Sequence, residues 1–229
     1  MKIKILDTPY HLSLLATLGR PDVFQPQISQ LVESLYVDMF GAVMDEELEQ
    51  EKVKIKTRIF KKEPKEGFFT GSVLKRKQHV VVADVLRAGM QPANLFYLKL
   101  CSLLDPRFVR QDHIMSQRAD APTGVTHSNL LGSKIGGTIK NRIVFIPDPM
   151  GATGNSATEV IQHYLKHYGT PKKFVLVNLV ITPFYLEKLK SLKADIRVYA
   201  ARLDRKLTRD SFIVPGLGGV GEMINNTKK

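Results

Sequence analysis

The sequence has few of the features that secreted and membrane-embedded proteins depend on. It contains a single cysteine, Cys101, so no disulfide can form within the chain. No apolar run approaches the roughly 20 residues that a membrane helix needs. Asp7 interrupts the first apolar stretch before the core of a signal peptide could form. We therefore expect a cytoplasmic protein in a reducing environment, without a membrane partner.

Internal repeats and low-complexity segments are also missing, which argues against solenoids and against disordered or fibrous proteins. The 229 residues, 43% of them hydrophobic and 24% charged, have the composition of a soluble chain long enough to bury a core. We expect one domain over residues 1–229.

The charge of the chain is strongly one-sided. Its 34 Lys and Arg residues outnumber 22 Asp and Glu residues, which gives a formal net charge of +12. Such an excess attracts polyanions, both nucleic acids and phosphorylated small molecules. The basic residues are spread along the chain, however, and aromatic residues do not alternate with them as in single-strand binders. We favour a basic surface around a phosphate-using site over nucleic acid as the partner.

Short β-branched runs alternate with amphipathic segments from residue 79 onward. Such runs are typical of buried parallel strands, and the alternation predicts a parallel α/β sheet with flanking helices. The predicted strands of this sheet are 79–85, 142–147, 174–181 and 196–203. The predicted helices are 27–40, 91–104, 157–168 and one that Thr182 caps and Pro183 begins. Ahead of the sheet, 53–59 alternates like a half-exposed strand and 61–68 has the composition of a loop.

Ligands of such sheets bind beyond the carboxyl ends of the strands. The segment 148–156 joins a predicted strand to a predicted helix there, and amides at a helix start favour an anion. Thr153 and Ser156 add hydroxyl donors, and Asp148 can accept hydrogen bonds from sugar hydroxyls. No Gly-Lys-Ser/Thr ending makes it a Walker A loop. The pattern predicts a sugar-phosphate site made of Asp148, Pro149, Met150, Gly151, Ala152, Thr153, Gly154, Asn155 and Ser156.

Two other segments could lie at the same edge of the sheet. Arg87 follows a predicted strand and precedes Ala88-Gly89, so it projects where an anion would lie, although an ion pair with Asp84 or another carboxylate would explain it equally well. Residues 216–221 match the dinucleotide pattern G-x-G-x-x-G, but only eight residues follow, too few to complete a βαβ unit. These glycines predict either a backbone that reads a flat base closely or a mobile tail.

One predicted helix carries Glu159, His163 and His167 at intervals of four residues. Three side chains so spaced span about 12 Å of helix, too far to converge on one metal ion. We therefore predict that they form a solvated helix face.

At these segments the sequence resembles the uracil phosphoribosyltransferases, type I enzymes that make UMP. Leu86-Arg87-Ala88-Gly89 is similar to the family's pyrophosphate loop and 148–156 to its phosphoribosyl loop, with Pro149 where most relatives outside this family carry a second acid. Residues 213–218 look like the uracil-recognition segment, and Arg118 matches a second pyrophosphate-binding arginine. The first third of the chain matches only in general layout.

The resemblance implies a type I phosphoribosyltransferase fold, with a small hood formed by the terminal segments. It implies transfer of the phosphoribosyl group from 5-phosphoribosyl 1-pyrophosphate (PRPP) to uracil, as in pyrimidine salvage. By the same resemblance, Arg87 and Asp148 are catalytic, and PRPP binds these two residues, Arg118 and the rest of 148–156. Uracil is assigned to Ile213, Gly218, Gly219 and Val220. Magnesium as cofactor, without assigned protein ligands, and a homo-oligomer are implied as well.

The sequence also departs from the family pattern. Gly219 stands where the family has an acid that helps hold the sugar pyrophosphate, while Glu222 keeps the next acidic position. Residues 119–123 lack the family's Glu-rich hairpin pattern, and Asp84 replaces a usual proline. Two alternatives therefore stay open. One is a ligand-binding or regulatory protein of the same fold with weak or no catalysis, for which RNA or another polyanion would suit the charge. The other is transfer to a different base.

Overall fold

A computed structural model describes residues 1–119 and 127–227, apart from the side chains of 118, 119 and 127–129. The large sheet of this described part contains β1 (Lys2–Ile5), β4 (Val80–Leu86), β5 (Val109–Ala119), β6 (His127–Lys134), β7 (Ile143–Pro147), β8 (Met150–Gly151), β9 (Lys173–Ile181) and β10 (Ile196–Leu203). Two small sheets are formed by β2 (Gln50–Lys56) with β3 (Phe68–Leu74), and by β11 (Lys206–Leu207) with β12 (Ile213–Val214). The helices are α1 (Pro9–Leu18), α2 (Gln27–Glu47), α3 (Met90–Leu103), α4 (Asn155–His167), α5 (Pro183–Lys190) and α6 (Val220–Ile224).

The large sheet has the strand order β1-β10-β9-β7-β4-β5-β6, with β8 beside β9. Its strands are parallel except β6, which runs antiparallel to β5. Both faces are covered, which explains why β4 is an unbroken apolar run apart from Asp84. Val80 and Val82 pack with α2 and α3, whereas Val81 and Ala83 pack with α4 and α5. The predicted α/β class with flanking helices is confirmed.

The two ends of the chain pack against each other over one end of the sheet. Leu15 and Leu18 of α1 share a buried cluster with Leu217 and Val220 near the C-terminus. The Gln25 amide also donates to the carbonyl oxygens of Met223 and Ile224, at 3.3 and 2.7 Å. The hood of terminal segments is therefore present.

The hairpin of β2 and β3 departs from the sequence prediction. The strand predicted over 53–59 ends at Lys56, because the amide and hydroxyl of Thr57 both donate to Gly67 O and the chain then turns into a 3₁₀ helix over Arg58–Lys61. The helix predicted over 27–40 continues to Glu47, since Val43 and Met44 extend its buried face. In the ranges that the structure describes, no helix combines the length and the apolar character needed to cross a membrane.

Candidate active site

A cleft of about 610 Å³ lies at the carboxyl ends of β4, β5 and β7. It brings together three stretches that are far apart in the sequence: the Arg87 turn (residues 86–89), the Asp148 segment (148–156) and the C-terminal segment (213–222). The predicted site residues that line it are Arg87, Asp148, Met150, Ala152, Thr153, Gly154, Asn155, Ser156, Ile213, Gly218, Gly219 and Val220. The Pro149 carbonyl instead accepts hydrogen bonds from amides of β9, and the Gly151 carbonyl accepts one from the Thr182 amide, just beyond β9. Arg118 belongs to β5, but its side chain lies outside the described part of the chain.

The backbone of Asp148 is fixed by buried polar groups of β9 and α5. Its amide donates to Val177 O at 3.0 Å, and its carbonyl accepts from Asn178 Nδ2 at 2.6 Å. Asn178 in turn accepts a hydrogen bond from the Tyr185 hydroxyl at 3.2 Å. Both side chains are almost fully buried. Because buried polar groups are costly to leave unpaired, this chain of bonds holds Asp148 at the end of β7.

The rest of the Asp148 segment is held from the start of α5. Thr182 is fully buried, and its hydroxyl donates to Ala152 O at 2.6 Å while also capping α5 through the Tyr185 amide. Gly154 has φ +82°, a conformation that favours glycine, and a Cβ there would lie 2.9 Å from Lys188 Cβ. The segment then enters α4 at Asn155. First-turn amides of a helix have no partner within the helix, so its start attracts an anion.

Charge in the cleft affects the tyrosines beneath it. Burial raises the pKa of Tyr36 and of Tyr185 well above the ordinary value, and the nearby Asp148 carboxylate raises both further. Tyr36 donates its hydroxyl proton to Val177 O at 3.2 Å. Both phenols therefore stay neutral donors that keep β9 and the Asp148 segment in place.

The Arg87 turn presents an exposed guanidinium to the cleft. The Leu86–Arg87 peptide bond is cis. Gly89 permits the turn to pack closely, since a Cβ there would lie 2.8 Å from Val85 O and 3.1 Å from Pro147 O. Among the described residues Arg87 has no ion-pair partner, so the interpretation as a pair with Asp84 is wrong.

Asp84 pairs with His113 of β5 instead, with 2.9 Å between Oδ2 and Nδ1. The carboxylate is 1% exposed, and its Oδ1 atom has no hydrogen-bond partner among the described residues. Burial raises the pKa of Asp84, while His113 acts in the opposite direction. A partly unsatisfied carboxylate therefore lies three residues before Arg87.

The C-terminal segment is ordered, so the interpretation as a mobile tail is wrong. Asp204, buried and paired with Arg202, accepts a hydrogen bond from the Gly216 amide at 2.8 Å. Leu217 and Val220 insert into the core, and Val220 begins α6, a short helix that the glycine-rich sequence did not predict.

Glu222 occupies the space beside Gly219. A Cβ built on Gly219 would lie 2.6 Å from Glu222 Oε2, and both residues line the cleft. A carboxylate is thus present next to the position where the resembled family carries its acid, although it comes from a different residue.

Several residues that shape the cleft were missed in the sequence: Gln25, Met115, Ser116, Gln117, Leu131, Asn178, Tyr185 and Asp204. For Asn178 a signal existed, because a lone amide in the apolar run 174–181 must find a buried partner. The other residues could not be identified, because they reach the cleft only through elements that are distant from it in the sequence. Among the described residues, no group of three or more His, Cys, Asp or Glu could hold a metal ion by itself.

Comparison with known proteins agrees with this arrangement. The family model "Uracil phosphoribosyltransferase" matches residues 5–227. The uracil phosphoribosyltransferase of Streptococcus mutans serotype c is 34% identical over 227 residues, 99% of each chain. That of Pyrococcus furiosus is 27% identical over 94% of this chain and 86% of its own. The solved structure of the AQ2163 protein from Aquifex aeolicus has a TM-score of 0.77 at 21% identity, covering 97% of each chain, and shows the shared fold.

Proposed function

Because the chain belongs to the uracil phosphoribosyltransferase family, we propose that it transfers the phosphoribosyl group of PRPP to uracil, forming UMP and pyrophosphate. The observation that carries the proposal is the meeting of the Arg87 turn, the Asp148 segment and the C-terminal segment in one cleft. In the reaction, the bond from the anomeric carbon to pyrophosphate breaks and a bond to a uracil nitrogen forms. The role of each segment follows from what this exchange requires.

The Asp148 segment is suited to the ribose 5-phosphate part of PRPP. The start of α4 offers amide donors and a favourable dipole to the 5′-phosphate, and Thr153 and Ser156 add hydroxyls. Asp148 would accept hydrogen bonds from the ribose hydroxyls. Its backbone is already fixed by Val177 and Asn178, so little conformational freedom is lost when the sugar binds.

Arg87 is suited to the pyrophosphate that leaves. The transition state resembles an oxocarbenium ion, so negative charge grows on the leaving group and its stabilisation lowers the barrier. The Arg87 guanidinium is exposed and has no ion-pair partner among the described residues, so it can supply that stabilisation without breaking an ion pair. We assign Arg118 the same role from the family resemblance alone.

The C-terminal segment is suited to the base. Ile213, Gly218, Gly219 and Val220 line the cleft, and their backbone groups would read the edge of a pyrimidine. Gly218 has φ +78°, which turns the chain in a way that favours glycine. Recognition by the backbone would select uracil without a dedicated side chain.

The donor set also fits magnesium bound together with the substrate. Two carboxylates, Asp148 and Glu222, line the cleft, and Mg²⁺ typically binds one or two carboxylates plus substrate phosphates. These two residues would hold the ion on the protein side. When bound, magnesium neutralises charge on the pyrophosphate.

We further propose one domain over residues 1–229 that works in the cytoplasm in pyrimidine salvage, as a homo-oligomer. Cys101 is the sole cysteine, which suits a reducing compartment. The hairpin of β2 and β3 supports association, because Ile55 and Phe69 lie opposite each other on it and are 52% and 48% exposed.

Product formation tests the proposal directly. Purified protein with PRPP, magnesium and uracil is expected to yield UMP, detected by chromatography, and adenine, guanine and cytosine in place of uracil are expected to yield none. Product with another base would overturn the base assignment. No product with any base, while PRPP still binds by calorimetry, would overturn the proposed activity and favour the regulatory alternative.

A further inference from the structure

Two of the three side chains that the sequence predicted on a solvated face of α4, Glu159 and His163, contact the strand pair β5–β6, whereas His167 is exposed as predicted. Glu159 Oε1 accepts a hydrogen bond from the Leu130 amide at 2.7 Å, and its Oε2 lies 3.5 Å from the Ser116 hydroxyl. One turn further along, His163 Nε2 lies 3.3 Å from Ser133 Oγ. The same helix begins at the Asp148 segment, so Glu159 joins that wall of the cleft to the strand pair.

The contacts of Glu159 fall on a β-bulge. Met115 is opposite Gly132, but Ser116 is opposite Leu130, so Leu131 is an extra residue on β6. A bulge of this kind interrupts the ladder and redirects a side chain, and bulges are frequent beside active sites. The two residues that Glu159 contacts, Ser116 and Leu130, form the pair at which the register changes.

The bulge shapes the cleft. Leu131 is 57% exposed and lines the cleft together with Met115, Ser116 and Gln117. Beyond it the backbone pairing of β5 continues to Arg118, opposite Ser128. A shift of register by one residue exchanges the two faces of a strand. The register at the bulge therefore determines on which face of the strand pair each later residue lies.

We propose that Glu159 is a positioning residue for PRPP, a role that rests on the proposed function. Its carboxylate holds the Leu130 amide and thereby maintains the bulge. The bulge in turn maintains the part of the cleft formed by Ser116, Gln117 and Leu131, and the register between β6 and β5, the strand that carries Arg118. Glu159 acts through these residues and does not itself line the cleft. Without an acceptor for Leu130, the strands can close the bulge and change register.

The test compares Glu159→Ala with Glu159→Gln. Alanine removes the acceptor, whereas glutamine keeps a carbonyl oxygen at the same reach. We expect Glu159→Ala to raise the KM for PRPP about tenfold, because the loss of one hydrogen bond to a charged group leaves about a tenth of the protein in the bulged register that binds PRPP. The KM for uracil should change less than about twofold. Glu159→Gln is expected to restore most of the PRPP affinity. Calorimetric titration with PRPP and magnesium chloride should give the same order of PRPP affinities among the unmodified protein and the two variants.

His163→Ala is the matched control, because it removes a contact from the same helix face to Ser133, on the other side of the bulge. We expect it to leave both KM values unchanged. Equal changes in both KM values for Glu159→Ala, or an unchanged PRPP affinity, would overturn the proposal. If the unmodified protein forms no UMP, the proposed function fails, but the PRPP titrations still decide the role of Glu159.

Discussion

The Asp148 segment and the C-terminal segment face the same cleft, yet they are held by different kinds of contact. Asn178 and Thr182, both buried and uncharged, bond to the carbonyl oxygens of Asp148 and Ala152 from directly below. The C-terminal segment is instead bonded to a carboxylate, that of Asp204, and the residues just after it, Met223 and Ile224, are bonded to Gln25, about 200 residues away in the sequence. The Asp148 segment, one wall of the cleft, therefore belongs to the sheet, and the C-terminal segment, the other wall, belongs to the hood.

This difference predicts that the two walls respond differently to the loss of a hydrogen-bond partner. Polar groups inside the sheet have no access to water, so a lost partner costs both stability and the geometry of the segment. In the hood, Gln25 is only half-buried, so water can replace its lost bonds, whereas Asp204 is buried like the polar groups of the sheet. We infer that the support of the phosphoribosyl side by Asn178 is rigid, whereas the support of the base side by Gln25 can change with little effect on the fold.

Removal of Arg87, which lies between the two walls, should have the largest effect. We expect Arg87→Ala to lower kcat/KM about a thousandfold, because the leaving group loses a charge partner in the transition state. The thermal midpoint should stay constant, since the side chain is exposed and has no ion pair among the described residues. Steady-state kinetics and thermal melts of Arg87→Ala and Arg87→Lys check this, and an unchanged rate would exclude the assigned role.

The next comparison breaks one support on each side. Asn178→Ala removes the hydrogen bonds that Asn178 makes with Asp148 O and with the Tyr185 hydroxyl, so the free energy of unfolding should fall by about 3 kcal/mol and the KM for PRPP should rise. Gln25→Ala should cost under about 1 kcal/mol and raise mainly the KM for uracil. Urea titrations and kinetics with each substrate varied would measure both. If the two variants affected the same KM, the two walls would not differ as inferred.

The same distinction explains how much could be read from the sequence. The Asp148 segment was predicted because its signal in the sequence is local: a buried strand, small residues and a helix follow one another in 142–168. The glycines of the C-terminal segment left a base-reading backbone and a mobile tail open, and only the resemblance assigned uracil to it. The helix α6 was missed because Gly218, Gly219 and Gly221 give no helical pattern while Val220 is held by tertiary packing. The bulge at Leu131 depends on Glu159 from another element, which no local pattern indicates.

The carboxylate beside Gly219 offers a smaller and more specific test on the base side. If Glu222 supplies the acid that Gly219 lacks, Glu222→Gln should lower kcat/KM for PRPP about tenfold. Gly219→Asp alone should change little, but in the Glu222→Gln background it should restore activity, since the two side chains occupy neighbouring space. The four rates form a double-mutant cycle. Additive effects would show that the two positions do not substitute for each other.

The smallest expected effect concerns Asp84, the buried charge below the Arg87 turn. Because burial raises its pKa, the folded protein binds this proton more tightly than the unfolded chain does. The stability gained from this proton is present at pH values below the pKa of Asp84 in the unfolded chain. It is lost as the pH rises through the pKa of Asp84 in the folded protein. Asp84→Asn removes the ionised group, so it should raise the thermal midpoint at pH 7 by about 2 °C and by less at pH 4.

Melting curves of both proteins between pH 4 and pH 7 would measure this difference, and His113→Gln provides the control. His113 opposes the rise in the pKa of Asp84, so the Asn substitution should gain more stability at pH 7 when His113 is absent. A lower midpoint for Asp84→Asn at pH 7 would mean that the pair with His113 outweighs the burial of the carboxylate. The Arg87 turn would then be supported by an ionised group, like the C-terminal segment and unlike the Asp148 segment.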